Sequence, residues 1–211
     1  MKSLNPKIKV YGVQAAGAPS MKNSVENGAI EALSSVSTIA DGIAVKEPGS
    51  LTYEICQKYV DEIVTVTDDE ISAAILALME RHKLVTEGAG AVAVAAAMFG
   101  KVDIKGKKAV CVLSGGNIDV TILSRVIKRG LLMSGRNCQL TIELVDKPGQ
   151  LKNVSRIIAD LGGNVTSVHH ERANEGSDVN GCYLRIILET RNYEHIAEIK
   201  KALTDYGFKL I

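Results

Sequence analysis

The sequence lacks an excess of either charge, closely spaced cysteine pairs and any long apolar run. Its 25 Lys and Arg residues nearly balance 24 Asp and Glu residues, so the strongly basic surface typical of nucleic-acid and membrane-surface binders is excluded. The most apolar stretch, residues 89–99, is far shorter than the ~20 residues of a membrane span. We therefore expect a globular, soluble protein that binds neither nucleic acid nor membrane.

The cysteines and the first residues indicate the cell compartment. Cys56, Cys111, Cys138 and Cys182 are far apart and lie in apolar stretches, so we expect buried free thiols in a reducing environment. Residues 1–11 are charged and then strand-like, without the basic start and apolar core of a secretory signal. The expected location is the cytoplasm.

The first 132 residues alternate between predicted strands and helices. Thr67 and Glu70 form a capping box, which predicts a helix from this point through about His82. Buried strands are predicted at residues 8–13, 61–66 and 109–113. Because no helix or strand precedes the first of them to cover its faces, we expect a segment to be missing upstream.

A glycine pair follows the predicted strand at 109–113 directly. The turn Ser114-Gly115-Gly116-Asn117 is followed by a predicted helix at 118–129, which gives the order strand, glycine turn, helix. Such a turn alone is typical of an ordinary strand-to-helix connection, so it identifies no function without further motifs.

Three segments together carry a resemblance to a known family. They are Thr38-Ile39-Ala40-Asp41-Gly42, Glu87-Gly88-Ala89-Gly90 and Ser114-Gly115-Gly116-Asn117. In order and approximate spacing they resemble the fold-type II pyridoxal-phosphate (PLP) enzymes, specifically the threonine dehydratase and serine racemase branch. The resemblance implies an α/β fold, a parallel sheet with helices, of which this chain holds an incomplete part.

The same resemblance implies cofactor-binding residues. The Ser114 hydroxyl would lie beside the pyridine nitrogen of PLP, while Gly115, Gly116 and Asn117 would let the backbone approach the ring. Glu87 resembles the family glutamate near the ring; equally, it would act as an acid that stabilises the start of the following helix.

Two family motifs are absent from this sequence. The segment with the Schiff-base lysine (Ser-x-Lys-x-Arg-Gly) and the phosphate-binding Gly-Gly-Gly-Gly-Leu loop do not occur, and in the family both lie N-terminal to the matching region. We therefore expect the C-terminal part of a PLP-dependent catalytic domain, with no catalytic residue of its own, inactive alone and not binding PLP alone. The intact enzyme would convert L-threonine to 2-oxobutanoate and ammonia, a step of isoleucine biosynthesis.

A polar stretch at residues 133–137 predicts a linker to a second domain at 138–211. There the predicted order is βαββαβ, the ferredoxin-like plan. Residues 174–180 are rich in Gly, Ser and Asp and predict a mobile hairpin loop between the central strands.

The second domain resembles an ACT domain through Asp146-Lys147-Pro148-Gly149-Gln150-Leu151. Pro148 and Gly149 suit a helix start whose open backbone N–H groups bind a carboxylate. The resemblance implies an amino-acid effector, with isoleucine or valine suspected, and a homo-oligomer that pairs through ACT domains. The regulatory ligand residues implied are Gly149, Gln150, Leu151 and Asn164.

No metal site is predicted. Gln14 stands where some relatives have hard oxygen ligands, and His169 and His170 should face opposite sides of a strand. Two alternatives to the threonine-specific lyase stay open: a stand-alone ACT module that binds amino acids and dimerises, and a serine-specific ammonia-lyase of the same family.

Overall fold

The computed structural model describes residues 1–172 and 181–211. The chain forms two compact units, residues 1–130 and 131–211. The helices and strands that begin in the first unit are β1 Tyr11–Ala15, α1 Ser20–Asn27, α2 Ser50–Tyr59, β2 Glu62–Val66, α3 Asp68–Ala77, α4 Gly88–Met98 and α5 Val120–Met133.

The strands of the first unit form a two-stranded parallel sheet. Its register runs from Tyr11 opposite Glu62 to Ala15 opposite Val66. Parallel neighbours need a long crossover connection, and here α1 and α2 lie in it. Val64 and Val66 are buried in a core formed mainly with α3 and α4.

The capping box fixes the start of α3. The Thr67 hydroxyl accepts a hydrogen bond from the Glu70 backbone N–H, and the Glu70 carboxylate accepts one from the Thr67 N–H. The helix becomes a π-helical turn at Leu78–His82. The chain then turns through Lys83, which adopts a left-handed φ of 59°. The capping-box prediction is therefore confirmed, with the α-helical geometry ending earlier than predicted.

The prediction of a strand at residues 109–113 is wrong. These residues form no regular element, and Val110 and Val112 are 84% and 72% exposed. A strand is held by hydrogen bonds to a neighbouring strand, and within the described part of the chain no strand pairs with this segment. The alternating valines give the segment strand propensity, but that propensity alone cannot fix it. The first strand also differs in position, since it begins at Tyr11 rather than at residue 8.

The second unit has the predicted βαββαβ order. Its elements are β3 Asn137–Val145, α6 Gln150–Asp160, β4 Asn164–Arg172, β5 Gly181–Glu189, α7 Tyr193–Asp205 and β6 Lys209–Leu210. The strands form one antiparallel sheet in the order β4-β5-β3-β6. This arrangement confirms the ferredoxin-like fold.

Strand alternation sets the core of the second unit. Leu184, Ile186 and Leu188 of β5 are buried and pack in one cluster with Ile158 of α6 and Leu203 of α7. Residues between them, such as Arg185, face the other side of the sheet, as the period of two requires.

Two sequence predictions need correction or fall outside the described residues. All four cysteines are free, but Cys182 alone is buried; Cys111 is exposed because the segment around it is not covered. The predicted hairpin loop at 174–180 lies outside the described residues.

Among the described residues, no helix has the length and apolar character needed to cross a membrane.

Asp61 ties the first residues of the chain to β2. Its Oδ2 accepts a hydrogen bond from the Val10 N–H at 2.7 Å and lies 2.6 Å from Lys2 Nζ. Hydrogen bonds from Lys2 and from the Val10 backbone lower the pKa of Asp61 to about 2. A folded-state pKa below the unfolded value means that the carboxylate stabilises the fold above the unfolded pKa and loses this contribution as the pH falls through the folded one.

We predict that Asp61→Asn removes a pH-dependent part of the stability between about pH 4 and about pH 2. The measurement is the free energy of urea unfolding as a function of pH, together with an NMR titration of the Asp61 carboxyl. Glu62→Gln, at the exposed neighbouring position, should keep the wild-type slope. A titration midpoint at the usual aspartate value, or an unchanged slope in Asp61→Asn, would contradict this account.

Candidate functional site

The three segments that carried the family resemblance meet at the start of α4. A Cβ atom added at Gly88 would lie 2.7 Å from the Ile39 carbonyl oxygen, and one at Gly90 would overlap the carbonyl oxygen of Ser114. Side chains are thus excluded at both glycines by backbone approach. The first turn of α4 is packed between the 38–42 segment on one side and the 114–117 segment on the other.

Glu87 joins the same assembly through its backbone and its carboxylate. Its N–H donates to the Gly115 carbonyl oxygen at 3.3 Å. Gly115 has a φ of +73°, and a Cβ there would overlap the Glu87 carboxylate. Glu87 therefore lies directly against the glycine turn. The alternative, that Glu87 only stabilises the helix start, is compatible with its position as N-cap of α4, where its side chain makes no capping hydrogen bond.

Asp68, the first residue of α3, holds the 38–42 segment in place. Its Oδ1 accepts a hydrogen bond from the Thr38 hydroxyl at 2.6 Å, and its Oδ2 accepts one from the Ile39 N–H at 3.2 Å. The Thr38 hydroxyl in turn accepts the Ala40 N–H at 3.1 Å. The first residue of α3 therefore positions a loop of the candidate site.

Thr86 is a residue of this region that the sequence analysis did not single out. Its side chain is 5% exposed, and its hydroxyl oxygen is buried with no hydrogen-bond partner among the described residues. A buried hydroxyl without a partner costs free energy. In the sequence, only its place directly before Glu87 could have indicated that Thr86 belongs to this region.

Residues 114–117, by contrast, are exposed, so their backbone is accessible from solvent.

The second unit has a pocket of about 430 Å³ at the N-terminus of α6. Gly149, with a φ of +90°, is the N-cap, and no side chain caps the helix. The first N–H groups of a helix lack intrahelical acceptors, so they are available to an anion. Three predicted regulatory residues line this pocket, namely Gly149, Gln150 and Leu151.

Asn164, the fourth predicted regulatory residue, is not among the lining residues. It begins β4 opposite Glu189, and its amide donates to a Glu189 carboxylate oxygen at 2.7 Å. Cys182 lines the pocket and lies at the other end of β5 from Glu189. Seven residues separate Glu189 from Cys182, which is roughly 23 Å at the usual rise of a strand. Within one chain the structure does not bring Asn164 to the pocket.

Charged groups also line this pocket. Asp146 Oδ2 lies 3.0 Å from Arg172 Nε, and the buried Cys182 thiol is close by. Burial raises the pKa of Cys182, the Asp146 carboxylate raises it further, and Arg172 lowers it.

Gln14 of the first unit stands at the place considered for a metal. Its side-chain oxygen accepts a hydrogen bond from the Lys22 N–H at 2.8 Å and so helps to position α1.

We predict that Gly90→Ala disturbs the 114–117 segment and destabilises the first unit by about 3 kcal/mol, because the new methyl group overlaps a backbone carbonyl. Gly100→Ala is the control: Gly100 has a φ of +65° with open space around it, so it costs about 1 kcal/mol of backbone strain alone. Urea unfolding and the NMR shifts of Glu87 and Gly115 measure both effects. Equal losses with unchanged shifts would contradict the packing described.

Comparison with known proteins agrees with both units. Residues 1–115 match the family model described as pyridoxal-phosphate dependent enzyme, and residues 139–205 match the ACT domain. An L-threonine ammonia-lyase of Thermotoga maritima is 46% identical over 210 residues, which is 100% of this chain and 52% of the relative. The L-threonine dehydratase TdcB of Escherichia coli is 47% identical over 128 residues, 60% of this chain and 39% of the relative.

Solved structures show the same likeness. The processed form of threonine deaminase isoform 2 from Solanum lycopersicum matches with a TM-score of 0.58 and 37% identity, over 62% of this chain and 37% of that chain. Maize serine racemase matches with a TM-score of 0.54 and 31% identity, over 61% of this chain and 42% of that chain. The chain spans about half the length of the Thermotoga relative that it matches end to end. With its three converging segments and its family match over 1–115, the chain belongs to the pyridoxal-phosphate dependent enzymes and carries an ACT domain.

Proposed function

We propose that this chain is the C-terminal portion of a PLP-dependent threonine ammonia-lyase, which converts L-threonine to 2-oxobutanoate and ammonia, with an ACT domain for allosteric control. Residues 1–132 are the catalytic-domain portion, 133–137 the linker and 138–211 the regulatory domain. The observation that carries the proposal is the convergence of the 38–42, 87–90 and 114–117 segments at the start of α4. L-threonine is the substrate named for the Thermotoga relative, which matches the chain end to end.

The residues at this convergence fit a flat, ring-shaped cofactor. Gly115 and Gly116 expose backbone without side chains, and the buried Thr86 hydroxyl lacks a partner that a ligand could supply. When bound, PLP supplies an electron sink for the bonds to the substrate Cα. Ser114, Gly115, Gly116, Asn117 and Glu87 are the residues proposed to hold it.

Ser114 has a defined chemical role in this proposal. Its hydroxyl would hydrogen-bond to the pyridine nitrogen of PLP without readily protonating it. Ser114 would thereby limit the build-up of negative charge on the substrate Cα, compared with a carboxylate at the same place, and favour loss of the β-hydroxyl over transamination. The sequence contains no Ser-x-Lys-x-Arg-Gly segment, and we propose that the chain alone is inactive.

A chimera tests the proposed activity. The part of the Thermotoga maritima enzyme that precedes its match to this chain is fused to residues 1–211, and product formation from L-threonine and L-serine is measured. We predict 2-oxobutanoate formation that exceeds pyruvate formation, and a kcat that falls roughly 100-fold or more in Ser114→Ala. The isolated chain, with PLP and L-threonine added, should form no product.

The controls separate failure of folding from failure of the proposal. The intact Thermotoga enzyme is the positive control, and PLP absorbance shows whether the chimera is loaded. A folded, loaded chimera that forms no product, or a Ser114→Ala variant with unchanged kcat, would contradict the proposal. Faster formation of pyruvate would instead favour the serine-specific alternative.

We further propose that the pocket at Gly149 binds an amino-acid effector, isoleucine or valine, and that ACT domains pair in a homo-oligomer. The uncapped start of α6 offers N–H groups to the effector carboxylate, where the helix dipole favours an anion. Asn164, at the far end of β5 from the pocket, would contact an effector only from a partner chain.

Four free thiols support the proposed cytoplasmic location.

Calorimetric titration tests effector binding. We predict saturable binding of isoleucine or valine to the 211-residue chain, weakened at least about tenfold in Gly149→Asp because a carboxylate there repels the ligand carboxylate. Gly162→Asp is the matched control, since Gly162 also has a positive φ, of +83°, in open space. Both variants carry similar backbone strain, but only the first places charge in the pocket.

Two results would contradict effector binding at this pocket. One is the absence of heat with either amino acid from a folded sample. The other is an equal loss of affinity in Gly149→Asp and Gly162→Asp. Binding in the absence of any lyase activity from the chimera would favour the stand-alone ACT module.

A further inference from the structure

The pocket of the second unit contains a group of potential metal ligands that the proposed functions do not use. One ligand atom each from Asp146, His170 and Cys182 lies within 4.8 Å of the other two. His170 Nε2 is 3.9 Å from Asp146 Oδ1. A carboxylate, an imidazole and a thiol in one place are ligands that zinc prefers in proteins.

The fold explains why these side chains meet although they are far apart in sequence. Arg172 lies opposite Cys182 in the sheet, and His170 lies opposite Leu184. Cross-strand partners share one face, so His170 lies on the face to which Cys182 and the buried Leu184 belong. Asp146 directly follows β3, whose Leu144 also lies opposite Cys182.

The neighbouring histidine belongs to the other face. His169 lies opposite Arg185, and its Nε2 is 3.0 Å from the Ser167 hydroxyl. Neighbouring strand residues such as His169 and His170 cannot both face one ion, and the strand geometry agrees for this pair. His170 alone, however, meets Cys182 of β5 and Asp146, which follows β3; no local sequence pattern predicts this meeting.

We propose that Asp146 Oδ1, His170 Nε2 and the Cys182 sulfur bind one Zn²⁺ ion in the ACT-domain pocket, with the fourth position left to water or a ligand. On binding, the Cys182 thiol loses its proton to solvent and coordinates as the thiolate. The two anionic ligands balance the charge of the ion. This site does not depend on the proposed lyase activity or on effector binding.

The distances and the surroundings fit such a site. Zinc bonds of about 2.0–2.3 Å in a tetrahedron place ligand atoms about 3.5 Å apart. Because the three atoms lie within 4.8 Å of one another, they need to approach by at most about 1.3 Å. His170 and Asp146 have side chains 47% and 33% exposed and can make this movement without disturbing the core. Arg172 pairs with Oδ2 of Asp146, which leaves Oδ1 for the ion and fixes the orientation of the carboxylate.

Titration with Co²⁺, a spectroscopic substitute for Zn²⁺, tests the proposal on the full chain. Cys111→Ser serves as the background, because Cys111 is exposed and would bind the metal independently. We expect one Co²⁺ per chain, with visible bands of tetrahedral cobalt and a sulfur-to-cobalt charge-transfer band that disappears on addition of one equivalent of Zn²⁺. Thermal unfolding should shift upward with Zn²⁺, since the ion binds the folded state.

Variants of the exposed ligands locate the site without removing a core residue. Asp146→Asn and His170→Asn should each weaken binding roughly tenfold or more, whereas His169→Asn should bind as the background does. Circular dichroism establishes that each variant is folded. A folded background protein without the charge-transfer band, unchanged affinity in His170→Asn, or an equal loss in His169→Asn would overturn the proposal.

Discussion

The close approach of backbone to backbone at the start of α4 is the constraint on which the first unit depends. Gly88 and Gly90 lie so near the carbonyl groups of Ile39 and Ser114 that no side chain fits between them. This contact holds three segments, separated by tens of residues, in one place. The Asp68 carboxylate reinforces it through Thr38. The glycine turn at 114–117 is therefore fixed by its backbone contact with Gly90, while its residues remain exposed to solvent.

The second unit reaches its sites by strand register rather than by glycine packing. The order β4-β5-β3-β6 places the end of β3, the end of β4 and the start of β5 together beside the N-terminus of α6. The same corner thus holds the uncapped helix start proposed for an effector and the three side chains proposed for zinc. Both a cationic and an anionic side chain, Arg172 and Asp146, lie in this pocket and pair there.

Much of this fold could be predicted from local sequence signals. The Thr67–Glu70 capping box and the βαββαβ order follow from side-chain chemistry and periodicity that act within a few residues, and the structure confirms both. The irregular structure of residues 109–113 could not be predicted, because a strand depends on a partner strand that the local pattern does not reveal. The prediction that Cys111 is buried failed for the same reason. The orphaned Thr86 hydroxyl and the Asp146–His170–Cys182 group arise from tertiary contacts, so no spacing rule could find them.

The three segments of the first unit converge through the glycines of α4. The most direct measurement is a residue-resolved NOE spectrum of the isotopically labelled chain in solution. We expect contacts between the protons of Gly90 and Ser114 and between those of Gly88 and Ala40. Absence of both sets from a folded sample in which sequential α4 contacts are present would contradict it.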